Sequence, residues 1–521
     1  MNRICEKCLC LRMTGWGLGI VLILSEGLWA EPSHHPEPVR MGVAQSVIDL
    51  PARVPLAGYS RRKGRASKGL HDPIGIRVLI VQDSDTTAAL VSCDLLIIDE
   101  TLFEALRRRL AATQLPKDIQ VILAATHTHS GPGAYGKRFL EKLSMGHFDR
   151  EVFDRIVSQI TQTMDRAYDN RRAVRMVYTT GKVPALVANR MIPESLVDDE
   201  AVIVAFYPAD ALQKKAIIVE GFSMERPLAV VVGFSAHPTT LGAWNFWLSA
   251  DYPGVVMRQI ERQLPGTIGL FFAGNVGDQA PIKQGIGFEH AEWYGQTLAQ
   301  EVLLRLRDPA IAPRPKDVSD TAVQSRLGGQ AADPIGADLP VPQVHPVELS
   351  IDDSRFSIEQ RVSNRKSKID NRKFQGVGVP VPQVHPVGLH TTAVSARSVF
   401  AIQEQMSLPP ARLRLGNISL PAWLGRRLVD EDATLSMLAI DDTLFLGVPC
   451  DMTASLGAAL KQAARAKGFH PFLIGFANDY IGYCVPAEVY HAQAYESAMA
   501  FNGPHAGELL VKRLIRMMDR R

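Results

Sequence analysis

Apolar positions follow two different periods along the chain from about residue 38 onward. Short continuous runs of Val, Leu and Ile predict buried strands, and apolar residues spaced three or four positions apart predict amphipathic helices. The predicted strands are 77–81, 88–98, 121–125, 229–235, 268–272, 435–446 and 472–475. The predicted helices are 101–112, 148–167, 254–264, 291–306, 453–466 and 506–518. This alternation predicts an α/β fold with a mixed β-sheet core flanked by helices, in which functional groups gather at the carboxyl ends of strands.

Regular patterning stops between residues 308 and 395, a segment rich in Pro, Ser, Asp and Arg. The octapeptide PVPQVHPV occurs at 340–347 and again at 380–387, which indicates a local duplication. We interpret the segment as a long irregular insertion that is partly disordered. His345 and His385 lie in the two copies, and we interpret them as exposed loop histidines in preference to a second metal site.

The first thirty residues have the features of a secretory signal peptide. Arg3, Lys7 and Arg12 form a positive region, residues 13–24 form an uncharged apolar run, and a small residue, Ala30, ends the segment. The apolar run is too short to span a bilayer comfortably, which takes about 20 residues. We therefore predict an exported protein, periplasmic or secreted, with an uncleaved N-terminal membrane anchor as the alternative.

Cysteine usage is compatible with export without deciding it. The chain has six cysteines, three of which lie in the predicted signal peptide. The other three are Cys93, Cys450 and Cys484, too few for a disulfide framework. One bridge between Cys450 and Cys484 and three buried free thiols are both compatible with the sequence.

Composition and charge narrow the class of partner. Hydrophobic residues make up 46% of the chain and charged residues 21%, as in ordinary soluble globular proteins. The formal net charge of +3 lacks the basic excess that nucleic-acid binding requires, so no nucleic-acid partner is expected. A short basic run comprises Arg61, Arg62, Lys63 and Arg65, and we interpret it as a solvated loop in preference to a site for phosphate or a lipid headgroup.

Histidines at the ends of predicted strands carry the candidate chemistry. His127 and His129 follow the strand 121–125, and residues two positions apart on an extended chain point the same way, with Cα atoms about 6–7 Å apart. The following Gly-Pro-Gly permits a sharp turn and leaves room for a substrate. His237 ends another predicted strand, and three histidines suit a zinc site with one open position for water. Three unrelated hydrogen-bonded histidines are the alternative.

Several segments resemble the neutral (non-lysosomal) ceramidase family, whose members are secreted or surface zinc amidases. The run ATHTHSGPG at 125–133 closely resembles the family signature. Further segments similar to the family's active-site segments follow in the family's order, at 234–239, 275–281, 447–453 and 478–496. Residues 38–307 and 396–521 are therefore expected to form a ceramidase-like catalytic domain.

The resemblance implies a site built around one zinc ion per chain. Its ligands would be His127, His129, His237, Asp451 and Tyr483. A metal in such a site lowers the pKa of a bound water and polarises a carbonyl group. The implied reaction is hydrolysis of a linear amide by a metal-activated water, in an N-acyl sphingosine-like lipid or another hydrophobic acyl conjugate. Peripheral contact with a membrane is a further expectation.

The resemblance also implies roles for residues around the metal. Arg190 follows Asn189 in a pair similar to the family's Asn-Arg pair and would contact a substrate oxygen, with a structural ion pair as the alternative. Tyr495 would donate to the developing oxyanion. Asp278 is a candidate general base, whereas Tyr490 is expected to be a packing residue.

Three positions depart from the family pattern. The family's active-site turn carries a serine where this chain has Ala280, and the acidic ligand is Asp451 where the family typically has Glu. The chain also ends at Arg521, so the family's C-terminal β-sandwich domain is expected to be missing. A catalytically silent relative that binds a ligand or partner is therefore the alternative function. Hydrolysis of another bond, such as a phosphoester, is a weaker option because such enzymes often hold two metals.

Further polar residues are candidates for supporting roles. Asp94 lies in an apolar run, where a carboxylate needs a partner, and we predict that it orients a ligand histidine through the other ring nitrogen. Asp251 is a similar candidate, with helix capping as the alternative. We interpret the cluster at 69–73 as a turn stabilised by Asp72 in preference to part of the site rim.

Overall fold

The computed structural model describes residues 38–209, 217–219, 222–307, 394–411, 414–415, 418–419, 425, 429, 431–491 and 495–521. The predicted signal peptide and residues 308–393 of the predicted insertion, including His345 and His385, lie outside the described residues. The last two residues of that predicted insertion form a short strand, Val394–Ser395. In the described part of the chain, no helix is both long enough and apolar enough to cross a lipid bilayer.

A large mixed sheet of nine strands runs through the described chain. Its strands are β1 (Arg40–Val47), β3 (Gly75–Gln82), β4 (Thr87–Cys93), β5 (Gln120–Ala125), β6 (Arg172–Lys182), β8 (Glu200–Pro208), β11 (Ala229–Phe234), β13 (Ile268–Ala273) and β15 (Val394–Ser395). The main path is β13-β11-β8-β6-β1-β3-β4-β5, and β15 pairs with β6. The pairs β4–β5 and β11–β13 are parallel, and the remaining pairs are antiparallel.

A second sheet has four strands. They are β16 (Val399–Ser407), β19 (Asp432–Ile440), β20 (Thr443–Gly447) and β22 (His470–Ile474), in that spatial order. The pair β20–β22 is parallel, and the other two pairs are antiparallel. Short strand pairs join loops: β2 (Gly69–Leu70) with β12 (Trp247–Leu248), β7 (Val187–Asn189) with β14 (Gln279–Pro281), β9 (Ile217–Val219) with β10 (Phe222–Met224), β17 (Arg414–Leu415) with β18 (Ile418–Ser419), and β21 (Asp451–Met452) with β23 (Tyr483–Cys484).

Two of the longer helices begin at capping aspartates. The Asp99 carboxylate accepts from the Leu102 amide at the start of the first helix, and Asp149 caps the third in the same way. The helices are α1 (Glu100–Leu110), α2 (Phe139–Met145), α3 (Arg150–Asp169), α4 (Asp251–Gln263), α5 (Gly287–Leu306), α6 (Ala454–Ala466), α7 (Ala487–Tyr490), α8 (Tyr495–Ala498) and α9 (Ala506–Met518). A single 3-10 turn spans Ser60–Arg62.

The two sheets and the helices stack as four layers. Alternate residues of β3 point to opposite faces, so that Val78 joins a core with α1, α3, α4 and α5, whereas Leu79 joins a core with the second sheet. Phe445 of β20 contributes to that core between the sheets. Its neighbour Leu444 points the other way and packs with residues of α6 and α9. Helices therefore cover the outer face of each sheet.

The predicted fold class, a mixed sheet core flanked by helices, is confirmed, and the structure divides that core into two sheets. The prediction of one strand over 435–446 is wrong because Asp441, with φ of 50°, turns the chain between β19 and β20. The predicted strand 88–98 ends early, at Cys93, and the residues after it lead into the site. The other predicted elements are present, with ends shifted by up to four residues.

The parallel strands bring their carboxyl ends together. Residues after β5 and β11 form loops at the carboxyl ends of these strands. Residues after β22 lie beside the end of β5, because the Ala125 amide donates to the Phe476 carbonyl at 3.4 Å, and beside the end of β13, because the Gly475 amide donates to the Ala273 carbonyl at 2.8 Å. Asn478 adds a side-chain link, since its Oδ1 accepts from the Leu123 amide at 2.7 Å and its Nδ2 donates to Ser436 at 2.6 Å. The loops that follow the two sheets therefore meet at one place, as expected for strand ends in α/β folds.

Candidate metal centre

Three histidines converge where these loops meet. His127 and His129 follow β5, and His237 follows β11. The three Nε2 atoms lie 3.0–3.1 Å from one another. His127 has a φ of 62°, so the chain turns at the first histidine instead of continuing as a strand. The prediction that these three histidines come together is confirmed, and this group could hold a metal ion.

Backbone carbonyls fix the orientation of two of the rings. His127 Nδ1 lies 2.7 Å from the Leu96 carbonyl, and His237 Nδ1 lies 3.3 Å from the Val276 carbonyl. Because a carbonyl oxygen only accepts, each Nδ1 carries the proton and each Nε2 presents a lone pair to the centre. Burial lowers the pKa of His127 to about 3, and burial also takes the pKa values of His129 and His237 well below the ordinary value. Neutral imidazoles with convergent lone pairs are what a divalent metal requires.

A glycine and a buried arginine contact His129 and fix its position. Gly58 has a φ of 105°, and a Cβ placed on it would lie 2.7 Å from the His129 ring. Arg62 Nη1 donates to the His129 carbonyl at 2.5 Å and to the Ala57 carbonyl at 2.7 Å. The interpretation of the basic run as a solvated loop is therefore wrong for Arg62, which is buried, although Arg61, Lys63 and Arg65 are exposed.

Asp451 supplies a carboxylate to the same place. Its Oδ1 lies 3.7 Å from His127 Nε2, is buried, and has no hydrogen-bond partner. Its Oδ2 accepts a hydrogen bond from the Tyr480 hydroxyl at 2.7 Å. Burial raises the pKa of Asp451 to about 7. A buried, unsatisfied carboxylate oxygen beside three Nε2 lone pairs fits a bound cation, which would satisfy all four atoms at once.

Tyr483 and Arg190 lie beside the carboxylate. Tyr483 pairs with Asp451 across the short parallel strands β23 and β21. Arg190 Nη2 donates to the Tyr483 hydroxyl at 3.0 Å and to the Gly277 carbonyl at 2.7 Å, and its Nε lies 3.2 Å from Glu496. Although burial alone would lower it, Tyr483 and Glu496 hold the pKa of Arg190 above its ordinary value. Arg190 thus forms an ion pair with Glu496, which was the alternative role given for it, and also lies next to the candidate ligand Tyr483.

A small cavity of about 120 Å³ opens onto the histidines. Its polar end includes Asp451, Tyr480 and Tyr483, and Tyr495 lies at its edge with a side chain that is 58% exposed. The Tyr495 ring stands edge-on to the Tyr483 ring, with centroids 5.9 Å apart. The other walls combine the polar residues Arg138, Glu141 and Ser144 with a larger apolar group: Leu96, Ile97, Leu140, Val429, Met499 and Phe501.

Asp278 lies behind the cavity, among structural donors. Its Oδ2 accepts from Asn189 at 2.9 Å, and its Oδ1 accepts from the Ala454 amide at 2.8 Å, at the start of α6. Oδ1 also accepts from Gln279 at 2.9 Å, while burial raises the Asp278 pKa. These contacts favour a role in holding Asn189 and α6, and the role of general base stays a prediction. Ala280 follows in β14, opposite Ala188 of β7.

The structure corrects the predicted role of Asp94. Its Oδ2 accepts from the Gly75 amide at 2.7 Å and its Oδ1 accepts from the Thr126 hydroxyl at 3.2 Å. The prediction that Asp94 orients a ligand histidine through the ring is wrong, because the Leu96 carbonyl occupies that position on His127. Asp94 instead accepts a hydrogen bond from Thr126, the residue before His127.

Asp251 also acts on a neighbouring loop. Its carboxylate accepts from the Thr240 hydroxyl and from the Leu241 amide, and so holds the turn that follows His237. Asp72 accepts from the Ala250 amide at 3.0 Å and pairs with Arg258 at 3.1 Å, so it links the cluster at 69–73 to the start of α4 and not to its own turn as predicted.

The structure also answers the questions that the sequence left open for the cysteines and for Tyr490. The cysteines Cys93, Cys450 and Cys484 are buried free thiols, so the bridge between Cys450 and Cys484 is not formed. Tyr490 is buried in a small apolar cluster, as expected for a packing residue. Sequence reasoning missed Tyr480 and Gly58, although Tyr480 stands within the segment 478–496 that carries the other tyrosines.

Known proteins similar to this chain agree on one family. The family described as neutral/alkaline non-lysosomal ceramidase, N-terminal, matches residues 41–292. The neutral ceramidase of Pseudomonas aeruginosa is 24% identical over 515 residues, which cover 90% of this chain and 70% of that protein. The neutral ceramidase of Drosophila melanogaster is 22% identical over 555 residues, which cover 92% of this chain and 74% of that protein. Residues 41–292 of this chain therefore match the N-terminal part of the neutral/alkaline ceramidase family.

A solved structure of a ceramidase shows the same fold. The crystal structure of neutral ceramidase from Pseudomonas aeruginosa matches with a TM-score of 0.62 at 19% identity, covering 93% of this chain and 75% of that chain. The ceramidase resemblance seen in the sequence is therefore confirmed. The matched segment 41–292 contains the three histidines, whereas Asp451 and Tyr483 lie outside it.

Proposed function

We propose that this chain is an exported, zinc-dependent amidohydrolase of the ceramidase family. Its substrate would be an N-acyl sphingosine-like lipid or another hydrophobic acyl conjugate with a linear amide. The observation that carries the proposal is the convergence of three Nε2 atoms, within 3.1 Å of one another, beside the unsatisfied Oδ1 of Asp451. Similarity to the family and the names of the relatives support ceramide-like lipids as the substrate class.

The donor set suits one zinc ion. His127, His129, His237 and Asp451 would hold it, with Tyr483 as a further ligand at the rim. Two of the three rings are fixed through backbone carbonyls, which keeps the Nε2 lone pairs aimed at the ion. When bound, zinc supplies a water of lowered pKa and polarises the substrate carbonyl.

The cavity provides for the rest of the substrate. Its apolar walls, including Leu140, Met499 and Phe501, would pack against hydrocarbon, while the amide points to the polar end. Tyr495 would donate a hydrogen bond to the carbonyl oxygen as negative charge develops on it. Arg190 would hold Tyr483 in position and contribute positive charge next to the site.

Ala280 supports a second candidate function. The family's active-site turn carries a serine at this position, and Ala280 has no hydroxyl group to donate or to attack a carbonyl. The alternative is therefore a catalytically silent relative that keeps the fold and the metal and binds a ligand. The buried, unsatisfied Asp451 beside the histidines favours a bound cation under either function. Retention of five ligand-capable positions favours an enzyme, because a silent relative has no need of an open metal site.

The deciding experiment measures metal content and hydrolysis on the same samples. The wild-type protein, purified with its natural processing, is compared with His127→Ala/His129→Ala and with a matched control, His147→Ala/His505→Ala, which alters two exposed histidines. We expect about one zinc per chain and cleavage of a fluorogenic N-acyl sphingoid substrate in wild type and control, and loss of both in the site variant. Zinc without cleavage would support the silent relative. Absence of zinc from the wild-type protein would overturn the metal site.

A further inference from the structure

Large apolar side chains are exposed on three neighbouring segments, outside the cavity. Ile286 is 85% exposed, Trp244 is 59% exposed and Trp247 is 41% exposed. Leu70, at the end of β2, is exposed beside them. We call these four residues the aromatic patch. Single exposed apolar residues are normal, but a group that includes two tryptophans marks an interaction surface.

The segments that carry the aromatic patch pack against one another. Strand β12, which contains Trp247, pairs with β2, so that Trp247 lies opposite Gly69. The Trp247 ring packs over Gly69, where a Cβ would lie 2.9 Å from Cζ3. The Trp244 ring approaches Gly287, next to Ile286, with Cη2 3.7 Å from the position of a Cβ. Both rings thus rest on glycines at one side and expose the other side to solvent.

Positive charge borders the patch. Arg61, Lys63, Arg65 and Lys68 are exposed in the turn that precedes β2, and we call these four residues the basic turn. The Arg65 guanidinium lies 4.8 Å above the ring of Phe246, and the Lys68 amide donates to the Phe246 carbonyl at 2.7 Å. The basic turn therefore lies directly beside the loop that carries the two tryptophans. The nearest acidic residue on these loops, Asp72, is paired with Arg258 at 3.1 Å.

We propose that the aromatic patch and the basic turn dock this protein on the surface of a bilayer that contains anionic lipids. Tryptophan prefers the boundary between headgroups and acyl chains, because its ring is apolar and its N–H can still reach water. Exposed Lys and Arg next to such rings add attraction to anionic headgroups, about 1 kcal/mol for each residue near the surface. Both components are needed for stable attachment of a peripheral protein, and this surface has both.

The docking surface adjoins the metal centre. Arg62, within the 3-10 turn, donates to the His129 carbonyl at 2.5 Å and to the Gly242 carbonyl at 3.2 Å, so one side chain connects the candidate ligand to the tryptophan loop. On the other side, the Gly58 amide donates to the Ser144 carbonyl of α2, the helix that contributes Leu140 to the cavity wall. Docking here would hold the cavity near the layer in which a lipid substrate resides. The surface deepens the proposed function and rests on it only for the source of the substrate.

The test measures binding to vesicles and requires no hydrolysis. Metal-loaded protein in its naturally processed form is sedimented with vesicles of phosphatidylcholine alone or with about 30% phosphatidylserine. Each measurement is made at low and at high salt. The variants are Trp244→Ser/Trp247→Ser and Lys63→Glu/Arg65→Glu/Lys68→Glu. Leu304→Ser controls for loss of an exposed apolar side chain on α5, and Arg107→Glu/Arg108→Glu/Arg150→Glu controls for charge reversal on α1 and α3.

We expect wild-type protein to bind the anionic vesicles more tightly than the neutral ones. The tryptophan variant should lower the partition coefficient by about tenfold on both kinds of vesicle. The charge variant should lower it by at least about a hundredfold on anionic vesicles only, an effect that high salt should imitate in wild type. Zinc content and cleavage of a water-soluble short-chain amide should not change in either variant. Because vesicle binding is measured without hydrolysis, it tests the docking surface even if the proposed function is wrong.

Two outcomes would overturn the proposal. One is wild-type protein that remains in the supernatant with every vesicle, in which case the exposed tryptophans serve a protein partner or none. The other is binding that falls equally in the matched controls, which would place the attachment elsewhere on the chain.

Discussion

The Tyr480 hydroxyl donates to Oδ2 of Asp451 at 2.7 Å, and this leaves Oδ1 of the same carboxylate facing His127 Nε2 at 3.7 Å. Asp has one methylene fewer than the Glu that the resemblance leads one to expect at this position. A short arm has few ways to point one oxygen at a metal, and a hydrogen bond to the other oxygen selects among them. Tyr480 is therefore a positioning residue for the candidate metal ligand.

Removal of this hydroxyl should weaken the metal site without unfolding the protein. We expect Tyr480→Phe to lower zinc affinity by about tenfold, the lower end of the range for residues that orient metal ligands. Competition with a coloured chelator measures the affinity directly. Tyr178→Phe is the matched control, because the buried Tyr178 also donates through its hydroxyl group, to the Pro471 carbonyl. Equal zinc affinity in Tyr480→Phe and wild type would exclude the positioning role.

The packing of Gly58 against His129 makes a second prediction. In Gly58→Ala the new Cβ would lie 2.7 Å from the ring, so His129 must move away from the other two histidines. We expect zinc affinity to fall by more than about tenfold, in addition to a cost of about 1–2 kcal/mol for a left-handed alanine. Zinc titration and thermal unfolding measure the two effects separately.

Gly266→Ala is the control that separates strain from contact. Gly266 has a φ of 90°, and a Cβ there would meet nothing within 4 Å. It should therefore lose a similar amount of stability and bind zinc as wild type does. If both alanine variants bind zinc with unchanged affinity, Gly58 does not set the position of His129.

The sequence predicted the parts of this site whose signals are local. His127 and His129 are two positions apart at the end of an apolar run, and His237 ends another run, so strand ends alone suggested that they meet. Tyr480 and Gly58 could not be assigned from pattern, because their roles depend on which loops pack together after two sheets have formed. Asp94 shows the same limit: its burial was predicted correctly, but its partner proved to be Thr126 and not a histidine ring.

The prediction of a solvated basic loop was wrong at Arg62. A run of four basic residues within five positions is typically solvated, yet the second of them is buried and donates to three backbone carbonyls. The planar guanidinium can reach several carbonyls at once, and this property is invisible in a count of charges. Only the fold shows which member of the run points inward.

Arg62 accordingly makes a third prediction. Arg62→Met keeps much of the volume and removes the donors, leaving the carbonyls of Ala57 and His129 without this partner. We expect a loss of about 2–4 kcal/mol in the free energy of unfolding, because each buried group that loses its partner costs about 1–3 kcal/mol. Urea unfolding measures the loss. The neighbouring exposed residue gives the control, since Arg61→Met should change stability by less than about 0.5 kcal/mol; a similar loss in both variants would contradict this assignment.

A buried charge cluster behind His237 makes the last prediction, which concerns pH. Lys461 of α6 lies 2.7 Å from Asp198 and 3.2 Å from Glu200, and Asp198 in turn accepts from the hydroxyl of Ser235 at 2.8 Å. Although burial alone would raise it, Lys461 holds the pKa of Asp198 below its ordinary value. A depressed carboxyl pKa contributes stability above the unfolded value of about 4, and this contribution is lost as the pH falls below it.

Lys461→Met should therefore destabilise most at neutral pH. Without the ammonium group, the partly buried Asp198 loses its cation, whereas Glu200 keeps Arg465 at 2.8 Å, and we expect a loss of about 3 kcal/mol at pH 7. Towards pH 4 Asp198 of the variant takes up a proton, so the difference from wild type should shrink. Urea unfolding of the metal-free proteins at both pH values measures this, with Lys467→Met as the control, because that lysine pairs with the exposed Asp519 and should lose less than about 1 kcal/mol. A loss in Lys461→Met that is the same at both pH values would mean that packing of the lysine stem, and not its charge, stabilises α6 against the site.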